Sequence, residues 1–269
     1  MAREKPGAHQ TALITGASSG IGEALAACFA RDGFNLVLAA RSTDKLKTLA
    51  KQLAAEHGIK AWVAPIDLSK AGSAAALAAK MKQGRHAIDV LVNCAGVLEH
   101  GQFIKMRPGR HQELIDLNVS ALTAMLSEFV PPMVARGKGR VLNVASVAAF
   151  QPIPSLATYA ATKAFVLSLT ESLAEELKGT GVTVSALCPG ITATNMVSTA
   201  TQSSGLKLPG ILVGDAARVA AEGYRACMNG EVIKVPGIIN LAGILAGRAT
   251  PKWLLRKVTG TFGRASVKG

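Results

Sequence analysis

Residues 11–26 read TALITGASSGIGEALA, a short apolar run that passes through Gly16, Gly20 and Gly22 into a segment of helical composition. Glycine has no Cβ, so backbone N–H groups there can come close to a bound group, and the N-terminus of a helix is positively polarised. Bare backbone at that place suits a pyrophosphate. The spacing is GxxxGxG, not the commoner GxGxxG of dinucleotide sites, so a plain glycine-rich turn is the competing reading. The surrounding chain has to decide.

Working outward, β-rich runs alternate with longer segments of helical period. Residues 11–15, 35–40, 61–65, 90–93, 140–145 and 183–187 are expected strands with apolar residues on both faces. Between them, DKLKTLAKQLAAEHG (44–58) and FVLSLTESLAEELKGTG (165–181) space leucines by three and four and end in glycine, as helices do. Parallel neighbours need a covering element to return the chain, so the alternation predicts an α/β fold: a single doubly wound domain of Rossmann type, its mostly parallel sheet covered by helices on both faces. Ligands bind such sheets beyond the carboxyl ends of the strands, where the first glycine turn falls.

Composition agrees with one domain across 1–269: 49% of the 269 residues are hydrophobic and 4% aromatic. Cys28, Cys94, Cys188 and Cys227 are widely separated, without a CxxC pair, which favours a reducing, cytoplasmic setting; no metal is expected. The first residues, MAREKPGAHQ, are polar, and the apolar run after them is too short for a signal-peptide core or a membrane span. Formal net charge is +13, with no acid after Glu231 but seven cations, Lys234, Arg248, Lys252, Arg256, Lys257, Arg264 and Lys268. Few aromatics and no recognised motif accompany that charge, so nucleic acid is not an expected partner.

Chemistry can be read from several residues directly. Tyr159 and Lys163 stand four apart in a helical segment and so share a face. A free phenol titrates near 10, and a neighbouring ammonium should lower that value, making Tyr159 a candidate general acid or base. Ser146 follows RVLNVA (140–145), which puts its hydroxyl beyond the sheet, either facing a substrate oxygen or capping a turn. Asn118 lies in a helical stretch (111–126) where asparagine is disfavoured, and a helix kink would equally account for it. The second strand ends VLAAR (37–41) without the acid that selects NAD(H). Arg41 can pair with a 2′-phosphate, aided by Ser18 and Ser42, which favours NADP(H); a solvated surface arginine is the alternative.

TGASSGIG (15–22), NCAG (93–96), Asn118, Ser146, YAATK (159–163) and PGITAT (189–194) occur together and in this order. The chain resembles the short-chain dehydrogenase/reductase family over residues 9–235. The resemblance implies hydride transfer between a nicotinamide cofactor and a carbonyl or alcohol carbon. Tyr159 then moves the proton, Ser146 contacts the substrate oxygen, Lys163 also binds the nicotinamide ribose, and Asn118 holds a water leading to the lysine. It implies a cofactor surface of Gly16, Ser18, Ser19, Gly20, Ile21 and Gly22, with Arg41, Ser42, Asp67, Leu68, Asn93, Ala95 and Gly96. Pro189, Gly190, Thr192 and Thr194 would hold the carboxamide. Cys94 stands where the family has a second asparagine, which puts a polar contact there in question. Asp67 is also placed to cap a helix.

Residues 195–214 match the family's variable substrate lid. Met196, Val197, Leu206, Leu208, Ile211 and Leu212, with Phe150, Ile153 and Leu156, would make an apolar pocket. The resemblance is to the branch containing hydroxysteroid dehydrogenases and ketoacyl reductases, implying a lipophilic ketone, aldehyde or acyl thioester and a homodimer or homotetramer. The basic extension, 236–269, is too short in its apolar part and too interrupted by glycine to span a membrane. It could rest on a membrane surface, meet an acidic carrier protein, or pack on its own subunit with its charges in water. The rival to an enzyme is an NADPH-binding sensor or scaffold that acts through this extension.

Overall fold

A computed structural model describes residues 5–193 and 214–250. Among them, strands β1 (Thr11–Thr15), β2 (Asn35–Ala40), β3 (Ala61–Pro65), β4 (Val90–Asn93), β5 (Gly139–Val144), β6 (Val182–Leu187) and β7 (Ile233–Lys234) form one sheet. Its order is β3-β2-β1-β4-β5-β6-β7 and every pairing is parallel. The first four strands fall on the expected residues, while β5 and β6 each begin one residue early. β7 was not anticipated, because two residues carry no measurable period.

Alternate residues along each strand enter opposite apolar layers, which is why both strand faces read as hydrophobic. Ile14, Leu36, Leu38 and Val92 pack with α1 (Gly20–Arg31), α2 (Thr43–His57) and the later α7 (Ala216–Asn229). Leu13, Val37, Leu91 and Val184 pack on the other face with α3 (Ser73–Gln83), α5 (Leu122–Ala135) and α6 (Ala157–Glu176). α4 (Pro108–Ile115) runs into α5 through a wider π-helical turn, Asp116–Ala121, which contains Asn118. By length and composition the stretch Pro108–Ala135 could cross a membrane, yet its Met125, Leu126, Phe129 and Met133 are buried against the sheet. The last helix among the described residues, α8, spans Ile238–Ala249.

Helix ends follow local chemistry. α2 stops at Gly58, left-handed at φ 68°, as its glycine predicts. α6 takes in both the expected helical segment of Tyr159 and Lys163 and the leucine-spaced stretch from 165: it starts at Ala157 and stops at Glu176, before Gly179 and Gly181. The early start brings Tyr159 and Lys163 into its first two turns.

The chain reverses direction across the sheet between β1 and β4, so the loops after these strands open a crevice at the carboxyl edge. α1 frames that crevice and is anchored by Phe29, which is fully buried edge-on to Phe34 at 5.1 Å and to Tyr224 at 4.8 Å between ring centroids. Tyr224 Oη also donates a 2.5 Å hydrogen bond to Asp32. Phe29→Ala is expected to cost about 3–5 kcal/mol of stability. Urea unfolding followed by circular dichroism should show a lower midpoint with an unchanged slope.

Candidate active site

Backbone clearance sets the site's geometry at Gly16. Its φ is +67°, and a Cβ there would lie 2.9 Å from the backbone of Ala95. A Cβ on Gly22 would lie 2.3 Å from the Gly16 carbonyl oxygen. Ser19 flanks α1 in extended conformation without capping it through its side chain, leaving the first turn directed at the crevice.

Thr15 joins the two sides of this crevice. Its Oγ1 accepts from the amides of Cys94 and Ala95, both at 3.0 Å, and donates to the Val92 carbonyl at 3.2 Å. One hydroxyl thus uses its whole hydrogen-bonding capacity to fix the β1 and β4 exits relative to each other.

A cavity of about 500 Å³ extends from this point in both directions. One arm passes Gly20 and Gly22 to Arg41 and Ser42 after β2, and to Asp67 and Leu68 after β3. Arg41 is exposed at the rim. Asp67 does not cap α3, whose N-cap is Gly72. Instead its carboxylate accepts from the Ser69 amide at 3.1 Å and hydroxyl at 2.7 Å, and the hydroxyl bond above all holds its pKa below the usual carboxylate value.

The other arm leads past Cys94, Ala95 and Gly96 to Ser146, Tyr159 and Lys163, and ends at Pro189, Gly190 and Thr192. Tyr159 and Lys163 are both buried, the Lys163 Nζ standing 5.8 Å from the Tyr159 ring centroid and donating to the Val144 carbonyl at 2.8 Å. Burial pushes the lysine pKa down to about 8. The expected lowering of the phenol does not hold in this arrangement: burial raises the Tyr159 pKa above 10.0, and the opposing effect is a hydrogen bond with Ser146, not the ammonium. Ser146 Oγ also accepts from the Ala148 amide at 3.1 Å, so the residue caps a turn and faces the cavity at once.

A dinucleotide fits these residues: the uncapped helix start and the glycines that a Cβ would block lie midway along the trough, with a guanidinium at one end and the Tyr159–Lys163 pair at the other. The sequence profile of the short chain dehydrogenase family matches residues 10–205. The chain belongs to this family. Oxidoreductase UcpA of Escherichia coli K12 is 39% identical over 197 residues, covering 72% of this chain and 74% of the relative. A short-chain dehydrogenase from Sphingobium yanoikuyae in complex with NADPH is 33% identical at a TM-score of 0.79, covering 89% of this chain and 93% of that one. The bulky-bulky ketone specific alcohol dehydrogenase of Comamonas testosteroni is 31% identical at a TM-score of 0.76, with coverages of 89% and 92%. As a short-chain dehydrogenase, the chain is an oxidoreductase that binds a nicotinamide cofactor in a Rossmann fold.

Most expected residues of the short-chain dehydrogenase site meet in this one cavity, but two stand behind it. Asn93 is buried below the floor, its Nδ2 donating to Asn143 Oδ1 at 2.9 Å, and Asn143 Nδ2 donates to Thr170 Oγ1 at 3.0 Å. It can shape the floor only from beneath, because its strand position turns the side chain into the core. Asn118 accepts from the Val97 amide at 2.9 Å and donates to the Val97 carbonyl at 2.9 Å and Thr162 Oγ1 at 3.1 Å. Its amide therefore clasps the loop after β4 to α6. Thr194 lies outside the described residues, as do 195–213 of the expected lid; Gly214 bridges back to Thr192.

Thr15, Thr162 and Asn143 escaped individual attention in the sequence because a buried polar group is recognised by its partners, which here are 27 to 80 positions away. Thr15→Val keeps the shape but strands two amides, each costing about 1–3 kcal/mol if it stays unpaired. Thermal unfolding should shift down and the Kd for nicotinamide dinucleotide, read by fluorescence titration, should rise. Thr15→Ser should restore both.

Proposed function

We propose that this oxidoreductase interconverts a lipophilic ketone, aldehyde or 3-oxoacyl group and its alcohol, with NADP(H) preferred over NAD(H). The observation that carries the reading is the placement of Ser146, Tyr159 and Lys163 at one end of a single cavity whose other end holds Arg41. A bound nicotinamide supplies or takes up the hydride. The chain's residues have the remaining work of orientation and proton transfer.

With its pKa raised above 10.0, Tyr159 holds its proton at neutral pH and can give it to a carbonyl oxygen as that oxygen gains charge. Ser146 Oγ, beside it, supports the same oxygen with a hydrogen bond. Lys163 keeps two N–H donors beyond the one spent on Val144, enough to meet the ribose hydroxyls. Pro189, Gly190 and Thr192 bound the carboxamide end, and Thr194 continues that segment. Asn118 acts as a positioning residue through Val97 and Thr162. A scaffold that only held the dinucleotide would need no buried phenol at the reacting end.

Leu98, Leu117, Ile153 and Leu156 line the same arm, whereas Phe150 packs into the core instead. This apolar wall supports a lipophilic substrate, as does the likeness to an enzyme described as specific for bulky-bulky ketones. We place the chain in the cytoplasm as a homodimer or homotetramer.

Tyr159→Phe should lower turnover of a hydrophobic ketone by about 10²-fold or more, with little change in NADPH Kd. Full activity in that variant would overturn the assignment. Arg41→Ala should weaken NADPH about tenfold to a hundredfold, the range of one charged hydrogen bond, and leave NADH unchanged in fluorescence titration. Lys163 is ammonium below its lowered pKa and neutral above it. NADPH affinity should therefore fall as pH rises through about 8, a dependence that Lys163→Met should lack.

A further inference from the structure

α8 has two dissimilar faces. Inward, Asn240 lies against Gly190, close enough that a Cβ on that glycine would be 2.6 Å from the amide, and Ile244 is only 8% exposed. Gly247 lies beside Gln151, just beyond the turn that Ser146 caps. The helix thus rests on the wall of the cavity's reacting end.

Outward, Ile238, Ile239, Leu241 and Leu245 are 87%, 65%, 45% and 57% exposed. At 100° per residue they occupy one continuous arc, with Ala242 and Ala246 between them. Large aliphatic side chains in such a cluster on water are unusual for a free surface. Among the described residues, four of the nine most exposed large apolar side chains fall on this one helix.

Its charge environment is one-sided. From Val232 to the last residue the sequence has no acid, and Lys252, Arg256, Lys257, Arg264 and Lys268 follow the helix directly. Twelve residues rise about 18 Å, short of the roughly 30 Å hydrocarbon core, so the helix can lie on a bilayer but not cross it.

We propose that the outer face of α8 is a docking surface for anionic lipid bilayers. The aliphatic arc enters the boundary between headgroups and acyl chains, and the acid-free, cation-bearing sequence from residue 232 onward favours anionic over neutral headgroups. Protruding knobs of this kind suit a deformable lipid boundary, whereas a protein partner would call for a matching groove. Because the inner face touches Gly190, docking turns the reacting end of the cavity toward the membrane. The inference does not depend on which residues perform the reduction.

Full-length protein should co-sediment with vesicles of equimolar phosphatidylcholine and phosphatidylglycerol, weakly with phosphatidylcholine alone, and less as salt is raised. Replacing Ile238, Leu241 and Leu245 by aspartate should lower partitioning at least about tenfold while NADPH affinity stays at the wild-type value. A dye on Leu245→Cys provides a reading in otherwise native protein, and its emission should shift to the blue when anionic vesicles are added. Absence of wild-type sedimentation, an unmoved dye, or equal binding by the triple variant would each overturn the proposal. So would a concentration-dependent mass in light scattering that the aspartates abolish, since the face would then be a subunit interface.

Discussion

The hydroxyl of Thr15 and the bare α-carbon of Gly16 hold the β1 and β4 exits in contact, and the geometry of the cavity follows from that contact. Parallel strands on either side of a topological switch would otherwise let their loops diverge. Two amide bonds to one oxygen bring the Cys94–Ala95 backbone against the glycine turn, at a spacing with no room for a Cβ. With that floor fixed, α1 presents its uncapped start to the trough, and Gly96 lies so close to Asn118 that a Cβ on it would be 3.1 Å from the amide oxygen. The pocket is a consequence of backbone proximity before it is a matter of functional side chains.

Burial then decides the electrostatics. Lys163 is removed from water and compensated by one carbonyl, so its ammonium is held less firmly than in solution. Tyr159, equally enclosed, resists ionisation. Cys94, beside them, has its thiol pushed up to about 12 by burial, so it stays protonated and acts as a small apolar filler. On the proposed reading, a phenol that resists ionisation is suited to giving its proton to a nascent alkoxide.

The sheet could be read from sequence because each strand carries apolar residues on both faces, a signal that depends only on neighbours along the chain. β1 to β4 fell on the expected residues for that reason. The start of α6 was harder: Ala157, Thr158 and Tyr159 lack the leucine spacing of the helix further on, and nothing local marks the boundary. Tyr159, Lys163, Ser146 and the glycine turn were legible as a set because their order and spacing follow a family pattern. Asn93 and Asn118 were legible as positions but not in direction. Whether an asparagine on a strand or at a π turn faces a ligand or the core depends on partners such as Asn143 and Thr162, far along the chain.

The same distinction explains α8. Its sequence shows an apolar helix followed by cations, which is equally compatible with a packed terminal helix and a surface one. Packing separates the two, for Asn240, Ile244 and Gly247 meet the body while Ile238, Ile239, Leu241 and Leu245 do not. A helix that only closed the fold would turn most of its large aliphatics inward, because burying an aliphatic side chain stabilises by about 1.5–3 kcal/mol. Here Ile244 alone of the five is buried, and the inward Asn240 spends its amide on the Pro236 carbonyl at 2.8 Å. The four outward aliphatics therefore have no partner among the described residues, and a surface that receives them supplies one.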